Sequence, residues 1–249
     1  MYAPKPSHQP TLTCLLILGA CLLLTGCERQ SVVSAEPPQS ASPIRTRLLT
    51  DKQYVNTITQ VFGADISESV LPPIPPMERT DGLLASGAAF VGVTSDQISQ
   101  IQLAAATVAQ KVVDEEHRDF LIPCSPESAI AADPVCAGLF LAETGRLLLR
   151  GSMDETRLAQ LVDVASYAAE QTEDFYDGLA LALEAILISP EFVFIVDSVE
   201  PDPERPAQQR LDSYSLASRL SFFLWNAAPD DALLQAAENG ELHTPQGLA

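Results

Sequence analysis

The chain has 249 residues, of which 33 are acidic and 14 are lysine or arginine, for a formal net charge of -19 at pH 7. A field of that sign repels phosphate backbones and anionic headgroups, so it argues against nucleic acid as a partner and requires any membrane to be reached by something other than surface charge.

At the N-terminus, residues 11–24 form an uncharged apolar run too short to persist as a bilayer span. Leu24-Thr25-Gly26-Cys27 closes that run with the small-residue pattern cut by lipoprotein signal peptidase. Residues 1–26 are therefore expected to be a lipoprotein signal, with the mature chain starting at an acylated Cys27; several acyl chains make a stable anchor where one holds only marginally. Removing the signal removes Lys5 and no acid, which takes the charge from -19 to -20. In the sorting systems this N-terminus resembles, Asp after the lipidated cysteine retains a protein at the inner membrane. Glu28 is not Asp, so the outer membrane is favoured. Residues 27–44 are polar, proline-bearing and aperiodic, which predicts a disordered tether with a reach of order 20 Å.

Of the five cysteines, Cys14 and Cys21 leave with the signal and Cys27 is consumed by lipid. Cys124 and Cys136 remain, an even pair expected to form a disulfide in an oxidising compartment. Two cysteines do not make a zinc site. They also lack the Cys-x-x-Cys-His spacing for haem attachment, and His117 and His243 are distant in sequence, so no cofactor is expected.

Thr50-Asp51-Lys52-Gln53 reads as a capping box opening a helix with Tyr54, Ile58 and Val61 on one face and Gly63 as its stop. The prolines of Leu71-Pro72-Pro73-Ile74-Pro75-Pro76 predict an extended loop. Thr94 or Ser95 caps a long helix with Ile98, Ile101, Ala105, Val108 and Val112 at helical intervals. A helix carrying Cys136, Phe140 and Leu147 follows. Ser152-Met153-Asp154-Glu155 reads as a second capping box, for a helix with Leu158, Leu161, Val162 and Ala165 inward. Phe175, Leu179, Ala182, Leu183 and Ile186 define another helix. Ser189-Pro190-Glu191 supplies a cap, a first-turn proline and an acid, with Phe192 to Val196 either a helical turn or a short strand. Residues 200–210 read as a polar linker. Asp212 caps a helix whose apolar face is Leu216, Leu220, Phe223 and Ala227, Pro229-Asp230-Asp231 starts one ending near Gly240, and Thr244-Pro245 begins one more. Without sustained strict alternation, the predicted class is all-α, an irregular multi-helix bundle.

Three stretches resemble, in order, a family of large secreted bacterial proteins of planctomycete and myxobacterial type built from DUF1587, DUF1595 and DUF1592 domains. Arg47-Leu48-Leu49-Thr50, Tyr54-Val55-Asn56-Thr57 and Phe62-Gly63 resemble the first domain. Gly178-Leu179 and Ala185-Ile186-Leu187-Ile188-Ser189-Pro190-Glu191-Phe192 resemble the close of the second. Leu211-Asp212-Ser213-Tyr214, Leu216-Ala217-Ser218-Arg219-Leu220-Ser221-Phe222-Phe223-Leu224-Trp225 and Pro229-Asp230-Asp231 resemble the start of the third. The resemblance implies a DUF1587-like helical segment at 45–92, a DUF1595-like domain at 93–199 and a DUF1592-like part at 211–249 that is truncated, since relatives continue further and sometimes add a cytochrome c module.

Candidate chemistry is sparse. Asp114-Glu115-Glu116-His117 has the residue types of a metal or acid/base site, and the plainer reading is a solvated helix end. Glu170, Glu173, Asp174 and Asp177 lack the spacing of a calcium loop. Trp225, Phe222, Phe223 and Tyr214 have the makings of a ligand platform, but their helical spacing predicts core packing. Arg219, beside apolar residues in an acidic chain, is expected to pair with a buried carboxylate. Glycine-rich phosphate loops, Gly-x-Ser-x-Gly and His-Glu-x-x-His are absent. The chain reads as a lipid-anchored, non-catalytic scaffold of the cell envelope with a membrane partner through its lipid and a further envelope protein partner. The alternative is a fragment of an extracytoplasmic redox or polymer-processing enzyme whose active part lies elsewhere.

Overall fold

The computed structural model describes residues 46–69, 73–74, 93–151, 153–244 and 247. The expected signal peptide, Cys27, the tether, most of the loop at 71–76, Ser152 and Pro245 lie outside the described residues.

Strand β1 (Thr46–Leu48) leads into α1 (Asp51–Phe62) and the short α2 (Ala64–Glu68). Next come α3 (Ser95–Val113), α4 (Arg118–Leu121), α5 (Pro134–Leu149), α6 (Glu155–Thr172), α7 (Phe175–Leu187) and α8 (Pro190–Val193). After them follow β2 (Phe194–Val196), β3 (Val199–Pro201), β4 (Gln209–Leu211), α9 (Ser213–Leu224), α10 (Asp231–Glu238) and a 3-10 turn at Glu241–His243. The expected capping box before α1 forms, Thr50 N–H donating to Gln53 Oε1 at 3.0 Å. Before α3, where only a cap was expected, Thr94 completes a box as well, its N–H donating to Gln97 Oε1 at 2.8 Å. The box expected from Ser152 to Glu155 gives way to a cap by Asp154. Asp133, Asp154, Asp174, Asp212 and Asp230 each accept backbone N–H groups as N-caps of α5, α6, α7, α9 and α10. Part of the acidity is therefore placed where helix dipoles favour it. For α6 the cap is Asp154, whose carboxylate takes the N–H of Arg157 at 2.8 Å.

The helix-rich class holds, but not as strictly all-α. β1 pairs antiparallel with β2, Arg47 opposite Ile195, and β3 pairs antiparallel with β4, Glu200 opposite Arg210. Strands of three residues are too short to show alternation, which is why no periodicity announced them. The open choice at Phe192 to Val196 resolves into both forms, a helical turn through Val193 and then β2. The expected linker at 200–210 is instead a hairpin. Asp202 is buried in its turn and accepts the N–H groups of Glu204 and Arg205 at 2.9 and 3.3 Å.

The core forms around α7, which packs most extensively on α6 and α3. Leu179, Ala182, Leu183, Ile186 and Leu187 are all at 0% exposure. Gly178 makes that approach close enough that a Cβ would run into the Ala165 carbonyl and Ala169. In α3 the buried stripe runs from Ile101 through Ala105, Val108 and Val112, while Ile98, one turn earlier, is exposed. A separate small cluster of Ala217, Ala237 and Leu242 joins α9, α10 and the 3-10 turn.

Cys124 and Cys136 lie with their sulfurs at disulfide distance and their Cα atoms 5.6 Å apart. The strap between them docks on α7, where Phe175 N–H donates to Ala129 O at 2.8 Å.

Candidate functional site

α9 carries the largest departure from the periodicity reading. Its buried positions are Ser215, Ala217, Ser218, Ser221 and Phe222. Phe223 is 85%, Leu224 59% and Trp225 63% exposed. Of the expected inward face Leu216, Leu220, Phe223 and Ala227, only Ala227 is buried, Leu216 and Leu220 are half-buried and Phe223 is in solvent, so the face is rotated. Of the aromatic group only Phe222 is buried. The physical reason is the surface that α9 meets. Ser221 Oγ reaches the carbonyls of Ala227 and Ala228, each at 2.8 Å, and Ser198 N–H donates to Ser215 Oγ at 2.8 Å. Backbone groups buried at this contact need partners, and a small hydroxyl provides one where a leucine would leave them unpaired.

The same loop is held from the other side by α1. Asn56 Nδ2 donates to Asn226 O at 3.1 Å, Gln60 Nε2 to Ala228 O at 2.9 Å, and Ala228 N–H to Thr57 Oγ1 at 3.1 Å. Asn226 itself sits at φ 56°, a left-handed conformation that asparagine tolerates. The result is a fixed turn directly after three solvent-facing apolar side chains.

Beneath α9 lies a buried cation that the sequence reading missed. Arg150 caps α5 in the left-handed region, φ 58°, which turns its side chain back under α8. Its guanidinium donates to the carbonyls of Phe194 at 2.7 Å, Phe192 at 3.1 Å, Leu148 at 3.3 Å and also Glu191. Burial lowers its pKa to about 10, still fully protonated at neutral pH. The Ser-Pro-Glu-Phe turn therefore acts as a carbonyl cage for Arg150. Ser189 caps the turn through Phe192 N–H at 3.3 Å, and Phe192 stacks edge-on against Tyr54 at 5.5 Å. The guanidinium carbon lies 5.7 Å from the Phe222 ring centre, so one residue touches α5, α8 and α9. Tyr54 Oη is buried with no partner among the described residues, and burial pushes its pKa up.

The carboxylate expected for Arg219 is Asp197. Nε meets Oδ1 at 3.2 Å and Nη2 meets Oδ2 at 2.7 Å, with the Asp197 side chain 1% exposed. α5 and α10 are joined by Arg146, which pairs with Asp231 and lies 3.7 Å from Glu238.

The acidic candidates stay apart from this junction. Asp114 caps the end of α3, accepting from Glu116 N–H and His117 N–H, each at 3.0 Å, and meeting His117 Nδ1 at 2.6 Å. Burial alone would raise its pKa; the His117 and Glu116 contacts outweigh that and hold it below the usual carboxylate range. An open depression of about 550 Å³ lined by Ala106, Thr107, Gln110, Lys111 and Asp114 lies beside it. Glu170, Glu173 and Asp177 are exposed, and Asp174 is occupied as the α7 cap by the N–H groups of Tyr176 and Asp177 at 2.7 and 3.1 Å. Among the described residues, no three His, Cys, Asp or Glu side chains are grouped to hold a metal ion. Nor is any described helix long and apolar enough to cross a membrane.

The arrangement is that of a helix-rich unit whose junctions are sealed by buried polar groups. Residues 136–197 match the family model PSD5, described as a protein of unknown function (DUF1595), and residues 211–249 match PSD4, a protein of unknown function (DUF1592). The chain therefore carries a DUF1595 segment and a DUF1592 segment, with the Arg150 cage inside the first and helix α9 opening the second. No curated protein and no solved structure matches the chain.

Proposed function

We propose that this protein is a lipid-anchored, extracytoplasmic helical scaffold that binds another envelope protein and performs no catalysis itself. The observation that carries the reading is the exposed sequence Phe223-Leu224-Trp225 next to a turn fixed by Asn56, Thr57, Gln60 and Ser221. Large apolar side chains in solvent on a backbone held by a fixed turn cost less to order on binding than the same side chains on a free loop, which is the property of a preorganised contact surface. The Leu-Thr-Gly-Cys sequence ending at Cys27 supports the anchor, and the Cys124–Cys136 pair at bonding distance supports an oxidising compartment. Acylation at Cys27 puts the protein in the envelope, with the outer membrane favoured.

Two experiments test the reading. The Cys27→Ser variant is expected to leave the membrane fraction and to lose the mass of the acyl groups; membrane retention at unchanged mass defeats the anchor. A photo-reactive amino acid in place of Trp225, irradiated in intact cells, is expected to give one discrete protein adduct that Phe223→Ser weakens. Adducts with lipid only, or none, defeat the scaffold.

A further inference from the structure

The β1–β2 ribbon and α9 bring together more positive charge than their one carboxylate neutralises. Arg47 stands opposite Ile195 in the antiparallel register, and Asp197 follows Ile195 by two residues. Cross-strand partners share a face, which puts Arg47 with Ile195; the same alternation, continued one residue past the end of β2 at Val196, carries Asp197 to that face. Arg219 approaches Asp197 from α9 and engages both its oxygens. Arg47 is half-buried, and among the described residues its guanidinium makes no side-chain hydrogen bond or ion pair.

Asp197 and Arg219 form a closed unit, because a carboxylate with each oxygen on a guanidinium nitrogen is geometrically complete. Arg47 is then a second fork of donors that has lost part of its water without gaining an acceptor among the described residues. Burial lowers its pKa, the Asp197 charge counters that, and the Arg219 charge adds to the lowering. Arg219 keeps 37% of its side chain in solvent, so its guanidinium is not fully enclosed by the pairing with Asp197. The local formal charge is positive within a chain of net charge -19.

We propose that Arg47 and the outer edge of Arg219 form a binding site for a ligand carboxylate, with Asp197 fixing the orientation of Arg219. A planar carboxylate matches a guanidinium fork in two parallel hydrogen bonds. A single negative charge is also favoured over a phosphate dianion, since the surrounding acidic field repels the dianion more strongly. The carboxylate belongs to a small free acid or to a polypeptide C-terminus; the two share the chemistry that the site reads.

The test uses the full chain in detergent, with arginine Nε–H resonances followed by NMR at constant ionic strength. Sodium acetate, a tripeptide with a free C-terminus, its C-terminal amide and sodium phosphate are titrated in turn. The expected result is saturable movement of the Arg47 resonance with acetate and tripeptide and none with the amide. A tripeptide that binds tighter than acetate assigns the carboxylate to a polypeptide end, and equal affinities assign it to a small acid. Arg47→Met should abolish saturation, and Arg47→Lys, which keeps the charge without the fork, should weaken affinity by roughly tenfold. Arg210→Met, on the β3–β4 hairpin, should leave binding intact, and near-ultraviolet circular dichroism of each variant separates a lost site from a lost fold. Absence of saturation with any carboxylate overturns the proposal, as do an unchanged response in folded Arg47→Met and phosphate binding at lower concentration than acetate.

Discussion

α7 and α9 are of nearly equal length and both rich in apolar residues, yet α9 buries three serines beside Ala217 and Phe222 where α7 buries an apolar face. α7 turns Leu179, Leu183, Ile186 and Leu187 inward against helices whose backbones are already satisfied, so its attachment to α3 and α6 rests on apolar burial. α9 turns Ser215, Ser218 and Ser221 inward and leaves Phe223 and Leu224 in solvent, because it meets loop backbone with free donors and acceptors. The difference shows that what a helix buries is set by what it packs on. Where the neighbour is another helix, volume decides. Where it is a loop, hydrogen-bond completion does.

The comparison breaks most violently at Gly178. Gly178→Val drives side-chain atoms into the Ala165 carbonyl and should cost more than about 4 kcal/mol, in the range where a domain no longer folds. Soluble, cooperatively unfolding protein in a urea titration would show that α6 and α7 separate more easily than their packing indicates. Next is Arg150→Met. It strips the cation from the carbonyls of Leu148, Glu191, Phe192 and Phe194 and should cost about 3–5 kcal/mol, read as a shift in the denaturation midpoint. A loss as small as that of a surface arginine would mean the cage is ornamental to α8.

Ser221→Ala removes one hydroxyl that serves two carbonyls and should cost about 1–3 kcal/mol, with amide exchange rising first in α9 and the Asn226 turn while α7 stays protected. Equal loss of protection in both helices would mean that α9 is not held separately by its hydrogen bonds to the turn. On the α7 side, the strap from Cys124 ends at Asp133, whose carboxyl is held below the usual range by the N–H of Cys136, then those of Glu127 and Val135. Because the native pKa is depressed, this cap stabilises fully above the ordinary carboxylate value of about 4 and is lost as pH falls through the native one. Asp133→Ala should therefore cost about 1 kcal/mol at neutral pH, a deficit that closes in acid. A gap that persists in acid would mean the side chain acts by packing. The smallest effect is expected at Trp225→Ala, within about 0.5 kcal/mol in stability, since the ring stands in solvent. A larger loss would return Trp225 to the core and remove the docking surface.

Much of this was legible in residue order. Thr50 and Gln53, Thr94 and Gln97, and the aspartate caps announced helix starts through local chemistry that any context preserves. The stripe from Ile101 to Val112 and the face from Leu179 to Ile186 follow from period alone. Ser-Pro-Glu-Phe and the Arg219 run marked two segments that the family models confirm. A buried partner for Arg219 was expected on charge balance, and it is present.

Tertiary structure alone supplied the rest. Asp197 lies 22 residues from Arg219 and Asn56 lies 170 from Asn226, so no local pattern links them. Arg150 looks like any helix-end arginine until α8 closes over it. The inward serines of α9 obey no hydropathy rule: Ser221 Oγ meets the carbonyls of Ala227 and Ala228, which the turn after the helix folds back onto it, and Ser215 Oγ accepts the N–H of Ser198 from the segment before it. Short-range signals such as caps, stops and periodic faces are energies of neighbours in sequence, and the residue string contains them. The completion of buried backbone groups is an energy between strangers in sequence, and only the folded chain brings them together.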